Sequence, residues 1–287
     1  MSAVVESQYE VEIKDVEYLK HGAKPFLARM YIPKGKGPFP MMVEAHGGAW
    51  VKQDRFRNAK MDEMIARSGI VVMGLEFRMP PADEAYPASV ADIHYALRWI
   101  KSRAAEFGGD ASKVVVIGTS SGGHQAALVA MRPNDARYSA VPLPGAAVDA
   151  TVRAAVLCWP VIDPLGRYHK VKQEAAEGKK EALDTIASHD LYWKTETAMD
   201  EGSPTRALER GEKTAMPPVL YLQGTADTAH PRPHLDRFVA EYRKAGGRLD
   251  LHWVEGVGQN FVNDHPDNPG VHAAVAKIIE FVKRETR

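Results

Sequence analysis

The chain has a single cysteine, Cys158, among 287 residues, so an intrachain disulfide is excluded and no thiol cluster is available to hold zinc. It has no excess charge of either sign. Lys+Arg is 37 and Asp+Glu is 37, a formal net charge of zero. Nucleic-acid binding needs a basic face, so no nucleic-acid partner is expected. Long apolar runs are missing too. The longest, Ala154 to Ile162, is interrupted by Pro160 and falls well short of the roughly 20 residues that cross a bilayer. The first residues lack a basic stretch followed by an apolar one, so no signal peptide is expected. A cytoplasmic protein with no membrane partner is the expectation. No period of repeated sequence is visible either. What is present is an ordinary globular composition, 45% hydrophobic and 26% charged, with eleven histidines.

Strand-like and helix-like stretches alternate, which points to an α/β class with a doubly wound, mostly parallel sheet. Val11–Leu19 and Phe26–Ile32 alternate in polarity and read as an opening antiparallel pair. Residues 40–45, 69–76, 113–118, 152–159, 218–223 and 249–254 read as further strands, several apolar on both faces. Helical spacing marks a helix from Pro87 to Phe107, another from Ser121 to Met131, one around Leu235 to Tyr242, and a closing helix from Val271 to Val282. Asp163 to Ala215 is polar and partly helical, and too long for a simple connection. It reads as a cap or lid, residues 163–215, inserted in one α/β domain spanning 1–287. Its aromatics Tyr168, Tyr192 and Trp193 would roof a pocket.

Gly118-Thr-Ser120-Ser-Gly122 fits G-x-S-x-G between a strand and a helix, the setting that motif needs. A side chain at Gly118 or Gly122 would collide with neighbouring backbone in so sharp a turn. Ser120 would then stand exposed at a helix N-terminus as a nucleophile. Upstream, His46-Gly47-Gly48-Ala49-Trp50 leaves a strand through two glycines. Their N–H groups, together with that of Ser121, could form an oxyanion hole. His46 itself reads as structural.

Together these motifs resemble the α/β-hydrolase superfamily. Within it they are most similar to hormone-sensitive-lipase-like esterases and the related small carboxylesterase and arylformamidase groups. Glu76-Phe-Arg78, Tyr86-Pro-Ala88 and Phe107-Gly-Gly-Asp110 add to the likeness, which runs from about residue 25 to the C-terminus, apart from 163–215. The resemblance implies a serine hydrolase acting on a small ester or activated amide, without cofactor or metal. It implies that the oxyanion donors come from Gly48 and Ala49, with Gly47 shaping the turn, and that the acid is Asp227, in Gly224-Thr-Ala-Asp227. It leaves open a homodimer through the closing helix and last strand. Trp50, Trp159, Tyr192 and Trp193 would line the substrate pocket or serve as core.

The resemblance also implies a histidine after the last strand. The surrounding residues, Glu255-Gly-Val-Gly-Gln259-Asn-Phe261, fit the pattern, but the slot holds Gln259. An amide cannot take the serine proton. Three explanations stand side by side. Gln259 replaces histidine in an engineered, slowed hydrolase. Alternatively it is natural, in a poor hydrolase, a ligand-binding relative or a lyase. Or another histidine is the base: His265, His124, or His230 and His234, which follow Asp227 and could neighbour it. Each of these otherwise reads as a solvated or core residue.

Overall fold

Short, β-branched, apolar strands with no polar face can only be buried on both sides, and in the computed structural model they form the middle of one sheet. The structure describes residues 8–145, 147–264 and 268–287. Its eight strands are β1 (Val11–His21), β2 (Lys24–Pro33), β3 (Phe39–Ala45), β4 (Val71–Leu75), β5 (Gly109–Thr119), β6 (Ala154–Cys158), β7 (Val219–Gly224) and β8 (Leu249–Val254). They lie in the order β1-β2-β4-β3-β5-β6-β7-β8. The pairs β1–β2 and β2–β4 are antiparallel, and every pair from β4 across to β8 is parallel. The α/β reading with a mostly parallel sheet is therefore borne out.

Helices cover both faces. They are α1 (Ala59–Ala66), α2 (Ala88–Ser102), α3 (Ser121–Met131), α4 (Pro164–Ala176), α5 (Glu181–Trp193), α6 (Glu196–Glu201), α7 (Pro204–Glu209), α8 (Arg232–Lys244), α9 (Phe261–Asp264) and α10 (Pro269–Glu285). Strand alternation sorts the core in two. Met41, Val43, Val114, Val116 and Tyr221 pack with Val90 and Ile93 of α2, Leu128 of α3 and Phe238 of α8. Met42, Val115, Ile117, Leu220 and Leu222 pack on the other side with Ile65 of α1 and Val275 and Ile278 of α10.

Two boundaries differ from the sequence reading. The helix expected to reach Phe107 ends at Ser102, because Arg103 leaves helical geometry at φ −120° and a 3-10 turn follows to Gly108 in the left-handed region. The eight-residue α1 carries too short a pattern to be read as periodic. Residues 163–215 hold α4 to α7, and their apolar side chains form a third cluster. There Trp50, Val161, Leu165, Tyr168, Tyr192, Trp193 and Met199 pack together. No helix among the described residues is long and apolar enough to cross a membrane.

In a parallel sheet all strands end on the same edge, where loops converge. The loops that follow β3, β5, β6, β7 and β8 meet there.

Candidate active site

Ser120 follows β5 with φ 51° and ψ −116°, a left-handed conformation that costs an ordinary residue about 1–3 kcal/mol. The neighbours make the turn obligatory. A Cβ at Gly118 would lie 2.2 Å from Gly122 O, and one at Gly122 would lie 2.0 Å from Ala45 O. Ser120 N–H donates to Cys158 O at 2.9 Å, and Val161 N–H donates to Ser120 O at 3.1 Å. The elbow is thus tied to the end of β6 and to the segment that follows it, and the hydroxyl projects above the sheet.

The Ser120 Oγ lies 3.1 Å from Nε2 of His230. The other ring nitrogen, Nδ1, lies 2.8 Å from Asp227 Oδ2. Both side chains are buried, with 3% and 0% of their surfaces exposed. The local sequence explains the approach. After β7 the chain turns so that Asp227 Oδ1 accepts from the N–H groups of Ala229, at 2.9 Å, and His230, at 3.1 Å. This curls three residues around one carboxylate oxygen and leaves the second facing the His230 ring. Gln223 Nε2 donates to that same Oδ2 at 2.8 Å. Pro231 follows at once and starts α8.

The electrostatics match. Burial alone would raise the Asp227 pKa. The hydrogen bond and charge of His230 and the two backbone amides outweigh it and hold the carboxyl below its ordinary range. Burial is also the largest influence on His230 and lowers its pKa, assisted by the Arg167 charge and opposed by Asp227. The imidazole therefore rests neutral near pH 7, with Nδ1–H donated to Asp227 and a lone pair on Nε2 toward Ser120.

Gln259 does not occupy that position. The loop after β8 packs its backbone against β7: Ala226 N–H donates to Val257 O at 2.9 Å, and a Cβ at Gly224 would lie 2.2 Å from Val257 O. The Gln259 side chain is exposed, while the contacts of Asp227 go to Gln223, Ala229 and His230. The nitrogen facing Ser120 comes from the loop after β7, from His230, one of the histidines named as alternatives to residue 259. His265 lies outside the described residues. His124 is buried, accepts from Trp50 Nε1 at 3.2 Å, donates to Gly202 O at 2.7 Å, and has its pKa pushed down to about 4 by burial. His234 lines a small cavity beside His230.

The loop after β3 lies against the elbow. Gly47 N–H donates to Thr119 Oγ1 at 3.0 Å, so it is spent on the turn. Trp50 N–H donates to Ser121 Oγ at 3.1 Å, anchoring the loop to the first turn of α3. Gly48 at φ 118° and Ala49 at φ 53° lie between these anchors. A Cβ on Gly48 would meet Lys52 O at 2.0 Å, so only glycine fits there. Their N–H groups, and that of Ser121 at a helix start, have no protein acceptor among the described residues. His46 stacks on Phe77 at 4.4 Å between ring centroids, which suits a structural role.

Beneath this loop Asn58 Nδ2 bridges Glu44 Oε1, at 2.6 Å, and Thr119 Oγ1, at 3.1 Å. Glu44 and Asp62 are buried together, and burial raises both pKa values, Glu44 to about 7. The four aromatics read as pocket lining or core are all buried. Trp50 stacks on Tyr192 at 5.4 Å and meets Trp193 edge-on at 5.6 Å, whereas Trp159 packs on Phe261. Among the described residues no group of His, Cys, Asp and Glu could hold a metal ion.

A family model described as BD-FAE matches residues 29–239. The chain belongs to this family. The matched span contains Ser120, Asp227 and His230 and ends before Gln259. Esterase LipC of Mycobacterium tuberculosis is 27% identical over 254 residues, covering 86% of this chain and 59% of that protein. The carboxylic ester hydrolase LipM of the same organism, its activity given as probable, is 26% identical over 241 residues, covering 71% and 55%. The chain thus spans well under two thirds of these relatives. Among solved structures, a thermostable esterase from Pseudomonas putida superposes with TM-score 0.76 at 21% identity, over 99% of this chain and 85% of that one. An esterase from Pyrobaculum calidifontis gives 0.76 at 23%, over 97% and 87%. These likenesses establish the α/β-hydrolase fold for the family member described here.

Proposed function

We propose that the protein is a carboxylesterase-type serine hydrolase in which Ser120, His230 and Asp227 act together. The observation that carries this reading is the chain of contacts Ser120 Oγ–His230 Nε2–Asp227 at 3.1 and 2.8 Å. In the acylation half, Ser120 Oγ attacks the ester carbonyl carbon while His230 Nε2 takes its proton. Asp227 holds the tautomer and steadies the imidazolium. The N–H groups of Gly48, Ala49 and Ser121 receive the developing oxyanion; a donor of this kind is worth about 2.7–4 kcal/mol. The C–O bond then breaks and His230 returns the proton to the departing alcohol. Water repeats the sequence on the acyl-serine and frees the acid. Gln259 has no part in these steps, so a glutamine there needs no engineered or inactive enzyme to account for it.

Helices α4 to α7 act in this reading as a cap within one domain. The support is that Arg167 of α4 and His230 line a common cavity. The names of the relatives favour esters as substrates. Hydrolysis of short-chain p-nitrophenyl esters tests the assignment, with Ser120→Ala as the control and a fluorophosphonate as a covalent probe. The expected result is turnover and one adduct, both lost in Ser120→Ala. Absence of turnover and adduct in the unaltered chain would overturn it.

A further inference from the structure

Arg167 lies at the end of the first turn of α4 and lines the cavity beside His230, together with Pro160, Val161 and Tyr221. Its Nε and Nη1 are buried without a hydrogen-bond partner among the described residues. A guanidinium is always charged, and leaving its N–H groups unpaired away from water is costly. The carboxylates around it are already committed. Asp227 accepts from His230, Gln223 and two backbone amides. Asp163 pairs with Arg206 and Arg237 at 2.9 Å each. Glu174 accepts from Lys170 and Lys179. His234, the remaining titratable neighbour, is pushed by burial toward its neutral form. The cavity is narrow, about 10 Å³, room for one or two polar atoms and not for a whole substrate.

We propose that Arg167 is a specificity-determining residue that binds a carboxylate carried by the ester substrate. This rests on the carboxylesterase reading and narrows its substrate to esters with an anionic end. A carboxylate supplies two acceptors in the plane that a guanidinium fork presents, and its charge complements a largely buried cation that makes no direct ion pair among the described residues, Asp227 and Glu174 acting on it only from further away. A carboxylate on the acyl part and one on the alcohol part offer Arg167 the same chemistry, and two substrate pairs separate these sources. The acyl pair is p-nitrophenyl hemiglutarate against p-nitrophenyl pentanoate. The alcohol pair is 3-acetoxybenzoate against its methyl ester.

The expected result is that, in one pair, the unaltered protein favours the charged ester. Arg167→Gln then lowers the charged-to-neutral ratio of kcat/KM by about 10- to 100-fold, the range of a charge-assisted hydrogen bond, and Arg167→Lys restores part of it. A ratio unchanged by Arg167→Gln in both pairs overturns the proposal. If that variant does not fold, inhibition of the unaltered protein decides. Glutarate should inhibit better than the neutral glutaramide, an advantage that shrinks with added salt; equal inhibition overturns the assignment. Failure of the broader carboxylesterase reading would look different, since neither the neutral nor the charged esters would then be turned over.

Discussion

Replacing Asp227 by asparagine changes one atom yet should nearly abolish turnover. Oδ1 of the native carboxylate holds the Ala229 and His230 amides, and Oδ2 holds His230 Nδ1 and Gln223 Nε2. An asparagine can keep its oxygen toward the two amides. Its NH2 then faces His230 and Gln223, both of which now donate. The imidazole must turn Nδ1 into an acceptor and carry its proton on Nε2, where it can no longer accept from Ser120. The analogous substitution in a serine protease costs about 10⁴-fold in kcat, or about 5 kcal/mol of barrier. A loss of that order is expected here at pH 7, with KM little changed. The clash with Gln223 should also cost about 1 kcal/mol of stability. Steady-state kinetics on a p-nitrophenyl ester, with a denaturation curve to show that the fold persists, make the comparison. Asp227→Asn retaining more than about a tenth of the activity would refute the reasoning.

The pH dependence follows from His230. Burial, joined by the Arg167 charge, holds its pKa below the ordinary 6.5 against the pull of Asp227. The acid limb of kcat/KM should therefore have its midpoint below pH 6.5, and an apparent pKa above that value in the free enzyme would contradict the geometry. Glu44 gives a stability prediction. Its pKa is raised from 4.5 to about 7 by burial, so its full contribution is present below pH 4.5 and is lost as pH rises through 7. The melting temperature should fall between pH 5 and 8, and Glu44→Gln should flatten that fall. Equal slopes in the two proteins would count against a buried acid at this position.

The sheet was legible because each central strand is a short apolar run bounded by glycine, proline or polar residues. The elbow was legible because Gly118 and Gly122 are required by backbone contacts near 2 Å. The loop after β3 was legible as a turn from its paired glycines, and the Gly47 N–H is used by Thr119. A pattern centred on the last loop points to residue 259 and leaves His230 as only one of several alternative bases. What places His230 is a local device, an aspartate that captures the amides two and three residues ahead and so swings the third side chain onto its own second oxygen. The signal lay in Asp227-Thr-Ala-His230-Pro231, with proline setting the helix start immediately afterwards. The aromatics of residues 163–215 stayed open between pocket and core because an aromatic stripe near a predicted pocket reads alike whether it lines the space or fills it. Here Trp50 supplies the surface that Tyr192 and Trp193 cover.

The central claim is that His230, and not residue 259, serves Ser120. Measuring kcat/KM for His230→Gln and Gln259→His side by side on one p-nitrophenyl ester tests it most directly. His230→Gln should fall by about 10⁴-fold or more, as for loss of the base in a serine hydrolase. Gln259→His should stay within about threefold of the unaltered protein, as expected of an exposed side chain away from the reacting atoms. A large gain from Gln259→His, together with little loss from His230→Gln, would contradict the account.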